Sequence, residues 1–240
     1  MNIKKKSLAL YIFIFISLIV ISFPVPAAEK EDEPADVLDL LHRIESRVSG
    51  FDSLQTDFIQ EKDLAVFRNK IMIKGRICLQ KPHKLAWHAE EPVKYSVLIT
   101  DHFIRQWDEG TEEVQEIPLS KNPFFRLIVD QMSAWFYGQY LQLLDDYTVY
   151  INQQQPLEIV FVPRDSSSVK KIIENITVAF REDERYLKKV KFLEISGDST
   201  TIFFRNTVIN VPIDDDLFSV RPAKTTGRNL SSRGTSQRAR

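Results

Sequence analysis

Cysteine occurs once in this chain, as Cys78, and glycine seven times in 240 residues. One thiol cannot close an internal disulfide, so stability has to come from packing. Few glycines leave little material for a phosphate-cradling loop, and the phosphate-loop and dinucleotide patterns are both absent. Gly-x-Ser-x-Gly and His-Glu-x-x-His are missing too. No repeat of fixed period is visible. The four histidines, His42, His83, His88 and His102, offer no metal spacing, since His83 and His88 stand five apart in an expected strand and would face opposite ways. The acidic runs Glu90-Glu91, Glu112-Glu113 and Asp214-Asp215-Asp216 fall in expected turns and read as solvated faces. These absences predict a protein that is no enzyme and carries no cofactor and no metal.

The two ends differ from the body. MNIKKK is followed by an apolar run over 8–23 and by PVPAAEK, the three parts of a secretory signal. Val25 and Ala27 suit the small-residue positions of a cleavage site after Ala27. The alternative, an uncleaved anchor, is disfavoured by a run shorter than the roughly 20 residues that span a bilayer. Residues 221–240 hold six Lys or Arg and no acid, while 28–220 holds 23 basic and 33 acidic residues. The expected organisation is therefore a signal over 1–27, one domain over 28–220 and a disordered basic tail over 221–240. An exported, acidic body disfavours nucleic acid as a partner. The processed protein is expected to be soluble and monomeric in the periplasm.

Inside the body the periodicity changes three times. Val37, Leu41, Ile44 and Val48 recur at helical spacing before Gly50, which predicts an amphipathic helix over Ala35–Val48. Strand-like runs follow: FDSLQTDFIQ, VFRNKIMIKGRICLQ, HKLAWHA, VKYSVLIT and HFIRQWDEG. Ile71, Ile73, Ile77 and Leu79 fall on one face, with Lys74 and Arg76 on the other. Val93, Tyr95, Val97 and Ile99 alternate with Lys94, Ser96 and Thr100, so the sheet reads as one dry face and one wet face. Cys78 reads as a small apolar filler.

Over 121–144 the period becomes helical. Phe125, Ile128, Met132 and Trp135 share a face that Phe124, Leu127 and Phe136 widen, and Gly138 divides the segment. Such a stripe is either core packing or a movable apolar lid. Strands resume with YTVYIN, LEIVFVP, ENITVAF, LKKVKFLEIS and TTIFFRNTVIN, and the pattern ends near 217–220. Strands that follow one another without intervening helices argue against a parallel α/β fold, which needs a helix after almost every strand. They predict a mainly β (α+β) protein, one curved antiparallel sheet with helices on its concave side.

The stretch KPHKLAWHAEEP places Pro82 and Pro92, which lack an amide donor, at strand starts or edges. Trp87 shares a sheet face with Leu85; plain core packing and contact with a cargo are both open for it. The stretch resembles a segment of the periplasmic outer-membrane lipoprotein carrier family, LolA, that runs Arg-Pro, a few residues, aromatic or Leu, one residue, Trp and then a Pro. FDSLQTDFIQ, with Phe58 and Gln60, VLITDHFIRQWDEG, NPFFRLI and DDDLFSVRP are similar to further pieces of that family in order and spacing, over 37–222. The resemblance implies an open, incomplete antiparallel β-barrel with a helical lid over an apolar cavity for acyl chains. It also implies an acylated lipoprotein or other lipid cargo, an inner-membrane release complex and an outer-membrane acceptor as partners. Two positions depart from the family: Lys81 stands where it has the lid-holding arginine, and His102 where it has a turn glycine. Lysine keeps the charge and loses the planar fork.

Three readings follow. The first is a carrier of lipoprotein acyl chains toward the outer membrane. The second is a related carrier of a glycolipid or other pathway-specific acyl compound. The third is a non-enzymatic lipid-sensing or interaction module. The residues expected to form the lipid site or its lid are Lys81, Trp87, Tyr95, Val97, Ile99, Phe124, Phe125, Ile128, Met132 and Trp135.

Overall fold

The computed structural model describes residues 34–65 and 70–220. The segments read as signal and basic tail, 1–27 and 221–240, lie outside the described residues. Helix α1 (Ala35–Val48) buries Val37, Leu40, Leu41, Ile44 and Val48, the face that its spacing predicts. Eleven strands follow in two runs. The first is β1 (Ser53–Asp63), β2 (Ile71–Gln80), β3 (Lys84–Glu91), β4 (Tyr95–Ile99), β5 (Phe103–Asp108) and β6 (Val114–Pro118). The second is β7 (Tyr147–Gln154), β8 (Leu157–Pro163), β9 (Ile173–Phe180), β10 (Leu187–Glu194) and β11 (Ser199–Ile209). Between the runs lies α2 (Pro123–Tyr137), flanked by short 3-10 turns at Leu119–Lys121 and Tyr140–Asp145.

All strands join one antiparallel sheet in the order β6-β5-β4-β3-β2-β1-β11-β10-β9-β8-β7. Each run is a meander of neighbours, and β11 closes the second run against β1. The edges are β6 and β7, which are not paired with each other, so the sheet is an open β-barrel rather than a closed one. The sole segment joining these edge strands is the one that holds α2. Topology alone therefore carries this helix from one edge of the sheet to the other, and its apolar side chains decide that it crosses on the concave side. Expectation and structure agree on this architecture.

Four details differ. The sequence reading contains no counterpart of β6, a five-residue edge strand whose register is set by β5 through pairs such as Gln106 with Gln115. Glu90 and Glu91 end β3 instead of lying in a turn. The convex face is not uniformly wet: Cys78, Ala86 and Leu98 form a second apolar cluster there with Phe218 and Val220. The segment after β11 folds back to cover it. Asp215–Phe218 in that segment is a 3-10 turn and not a strand, because the Asp214 carboxylate accepts the amide of Asp216 at 3.0 Å and starts the turn. His88 helps to fasten it, with Nε2 2.6 Å from the Leu217 carbonyl and Nδ1 2.9 Å from Ser96 Oγ.

His102 needs no glycine-like backbone. It lies in the short turn between β4 and β5, and the non-glycine residues with positive φ among those described are Glu112, Glu184, Asn206 and Asn210. Gly75 does carry a steric requirement: a β-carbon there would fall on the His88 carbonyl of the neighbouring strand, where the β2–β3 register shifts.

Candidate functional site

The concave face is where the predicted residues meet. Alternation along β3 and β4 turns Leu85 and Trp87, and Tyr95, Val97 and Ile99, into one buried core. Trp87 is 2% exposed, with its ring 4.5 Å from that of Phe58 and 5.9 Å from that of Phe136. The orientation that alternation left undecided for Trp87 is inward.

Helix α2 fills the space opposite. Proline at its first position has the φ a helix start requires, and Gly138 in the left-handed region (φ 74°) stops it. Met132, Trp135 and Phe136 are buried, and Phe125 is half-buried against the same core. Adjacent residues reach different strands of the sheet. Trp135 stands edge-on to Phe161 of β8 (5.0 Å) and Tyr147 of β7 (6.0 Å). Phe136 stands edge-on to Trp87 of β3 and Phe204 of β11 (6.3 Å). Val129, Ala134 and Tyr137 are buried as well, so the second half of α2 is enclosed nearly all round instead of along one stripe. The side chains of Phe124 and Ile128 lie outside the described part of the structure.

The far end of α2 is tied to the rim. Tyr137 donates its hydroxyl to the Lys84 carbonyl at 3.0 Å and stacks on Phe51 at 6.2 Å. Glu45 of α1 accepts the amide of Leu141 at 3.0 Å, which supplies a partner at the start of the 3-10 turn after α2. Lys81 sits apart from the interior residues, on this rim. Its ammonium donates to the Ser49 carbonyl at the C-terminal end of α1 and lies 5.0 Å above the Phe51 ring. The helix end it serves is thus that of α1, which in turn meets the end of α2.

Burial sets the electrostatics of this interior. Desolvation pushes the phenols of Tyr95, Tyr137, Tyr140, Tyr147 and Tyr186 well above the ordinary tyrosine range, so all five stay protonated. On the convex side burial pushes the Cys78 thiol up to about 11, which makes it an inert filler. Among the described residues no cluster of His, Cys, Asp and Glu could hold a metal ion. No described helix is long and apolar enough to cross a membrane. Sequence reasoning missed Phe51, Tyr137, Gly138, Tyr140 and Tyr186 as the residues that join the helices to the sheet. Tyr137 and Tyr140 flank Gly138, where period says nothing about partners, while Phe51 stands between Gly50 and Asp52 and Tyr186 follows Arg185, outside any apolar run.

The family model for outer membrane lipoprotein carrier protein LolA matches residues 49–221. No protein of curated function matches the chain in sequence. Among solved structures, the chain is similar to a conserved protein of Thermus thermophilus with a TM-score of 0.50 and 9% identity, covering 79% of this chain and 96% of that one. It is also similar to an outer membrane lipoprotein-sorting protein domain from Vibrio parahaemolyticus, with a TM-score of 0.42, 11% identity and coverage of 75% and 95%. A third likeness is to the Pseudomonas aeruginosa MucA/MucB complex, with a TM-score of 0.46, 15% identity and coverage of 76% and 60%. The family match spans more than two thirds of the chain, β1 to β11 with α2 between them, and by it the chain belongs to the LolA family.

Proposed function

We propose that this protein is a periplasmic carrier that takes up acyl chains, those of lipoproteins first among them, and releases them toward the outer membrane without chemical change. The observation that carries this reading is the plug. An unclosed sheet has its concave face occupied by Trp135 and Phe136 of a helix whose chain connections run only to the two sheet edges. Side chains that fill an interior from a separable helix can be exchanged for a ligand of the same polarity.

Magnitudes support the exchange. One acyl chain of about fifteen methylenes buries a gross ~12 kcal/mol at about 0.8 kcal/mol each. Withdrawal of the aromatic plug offsets much of that on entry, and its return offsets the loss on exit, so the empty protein is no sink for the lipid. Export by the 1–27 signal supplies the compartment, and the missing catalytic patterns support a non-enzymatic role.

The test is direct. Purified protein lacking 1–27 is titrated with a long-chain acyl fluorophore, and lipids co-purifying from the periplasm are identified by mass spectrometry. Stoichiometric binding with cargo recovered unhydrolysed is expected. A folded protein that binds no acyl ligand would overturn the carrier reading, and hydrolysed cargo would overturn its non-enzymatic part. A co-purifying glycolipid would redirect the cargo from lipoprotein to that class.

A further inference from the structure

Tyr140 and Tyr186 are both fully buried, and among the described residues neither phenol oxygen has a hydrogen-bond partner. Their rings are well used. Tyr140 stands edge-on to Phe180 at 5.7 Å, and Tyr186 edge-on to Phe51 at 6.2 Å and Phe204 at 5.9 Å. Phenylalanine would make the same ring contacts and avoid burying an unpaired hydroxyl, which is unfavourable. Tyr137 shows the usual solution, since its hydroxyl reaches the Lys84 carbonyl. Two orphan hydroxyls in one interior point to a partner that is bound only in another state of the protein.

Their location says which part of a ligand they would meet. Tyr140 begins the 3-10 turn after Gly138, and Tyr186 immediately precedes β10, at the sheet end where α1 and α2 meet. Tyr140 packs on Phe180, and Phe180 is paired across the sheet with Leu187, the residue after Tyr186, so the two tyrosines share one end of the interior. The Glu45 carboxylate opposes ionisation of Tyr140. Neutral donors beside a carboxylate suit an uncharged oxygen acceptor and disfavour a phosphate or a free fatty acid.

We propose that Tyr140 and Tyr186 form a donor pair for the ester carbonyls of an acyl-ester lipid. The ester linkage is held beneath the α1–α2 junction, and the chains run along the interior that Trp135 and Phe136 vacate. This inference rests on the carrier reading and names the chemical class of its cargo: esterified acyl chains, not bare hydrocarbon.

The experiment compares the parent with Tyr140→Phe, Tyr186→Phe and the double variant, all lacking 1–27. The probes are dioleoylglycerol and its chain-matched diether. The parent is expected to bind the ester about tenfold more tightly than the ether. Each single variant should lose several-fold of that preference and the double variant all of it, with ether binding unchanged throughout. The empty variants should melt at or above the temperature of the parent, because each loses an unpaired hydroxyl. Equal binding of ester and ether by the parent would remove this inference and leave the carrier reading standing. So would lower melting temperatures, which would mean that the hydroxyls are already satisfied in the empty protein. A folded parent that binds neither lipid would take the carrier reading down as well.

Discussion

Gly138 at the end of α2 lies so close to Val48 at the end of α1 that a β-carbon on it would stand 2.5 Å from Val48 Cγ1 and 2.8 Å from Val48 Cβ. Its φ of 74° is also one that side chains disfavour. Both requirements hold the two helices in contact above the interior. Gly138→Ala is expected to destabilise the protein by about 1–3 kcal/mol. Val48→Ala in the same chain should recover only the Cγ1 part of the clash, since the 2.8 Å approach to Cβ and the backbone part both remain. Urea midpoints for the two single variants and the double variant measure the coupling.

Lys81 acts on the same junction from the sheet side, through the Ser49 carbonyl and the Phe51 ring. The contact is exposed, so its loss in Lys81→Leu should cost only about 0.5–1 kcal/mol. The kinetic effect is expected to be larger: release of lipid to acceptor vesicles slows while binding is undiminished, because the closed state that competes with cargo is weakened. Lys81→Arg, with its fork of donors, should favour the closed state, weaken binding and speed release. If affinity and transfer rate are the same in all three proteins, Lys81 is an ordinary strand-end lysine.

The convex cluster predicts thiol behaviour. Cys78 is fully buried beneath Phe218 and Val220, and should not react with an aromatic disulfide reagent at pH 8 in the folded parent. Phe218→Ala removes most of that cover at a cost of about 3–5 kcal/mol and should make the thiol reactive under native conditions. A thiol that stays silent in a folded Phe218→Ala variant would show that the segment after β11 is not what shields it.

Alkaline stability follows from the same burial. The folded pKa of Cys78 is raised from 9.0 to about 11, and those of five phenols are raised above 10.0. Above these unfolded values the unfolded chain gives up protons that the folded protein keeps, so it binds fewer of them and stability falls as pH rises. Denaturant midpoints should be flat with respect to these groups near pH 7–8 and decline from about pH 9 for the thiol and pH 10 for the phenols. Each fully retained proton contributes about 1.4 kcal/mol per pH unit to that slope. Tyr186→Phe should reduce the decline above pH 10, and an unchanged slope in that variant would count against the burial assignment.

Much of this was legible without coordinates wherever period and burial coincide. Val37, Leu41, Ile44 and Val48 marked α1 to the residue, and the alternation of Tyr95, Val97 and Ile99 marked β4 and its dry face. The helical stripe through Met132 and Trp135 marked α2, and Gly138 marked its end. β6 was not legible, since five residues at an edge with little burial take their register from β5. The dry patch around Leu98 and Cys78 on the outer face was not legible either, because what covers it arrives from Phe218 and Val220, far along the chain.

The sequence by itself determined the order of most elements, a dry and a wet face for the strands that became β2 and β4, and the lack of recognisable catalytic patterns, because each of these depends on neighbours a few residues apart. Tertiary structure alone decided which way Trp87 points, that Lys81 serves the end of α1, and that Gly138 must yield space to Val48. It alone decided as well that Tyr140 and Tyr186 are enclosed with their hydroxyls unpaired. The physical reason is range: periodicity reports the geometry of one segment, whereas a donor, an acceptor or a steric limit exists only once two distant segments are brought within a few ångströms.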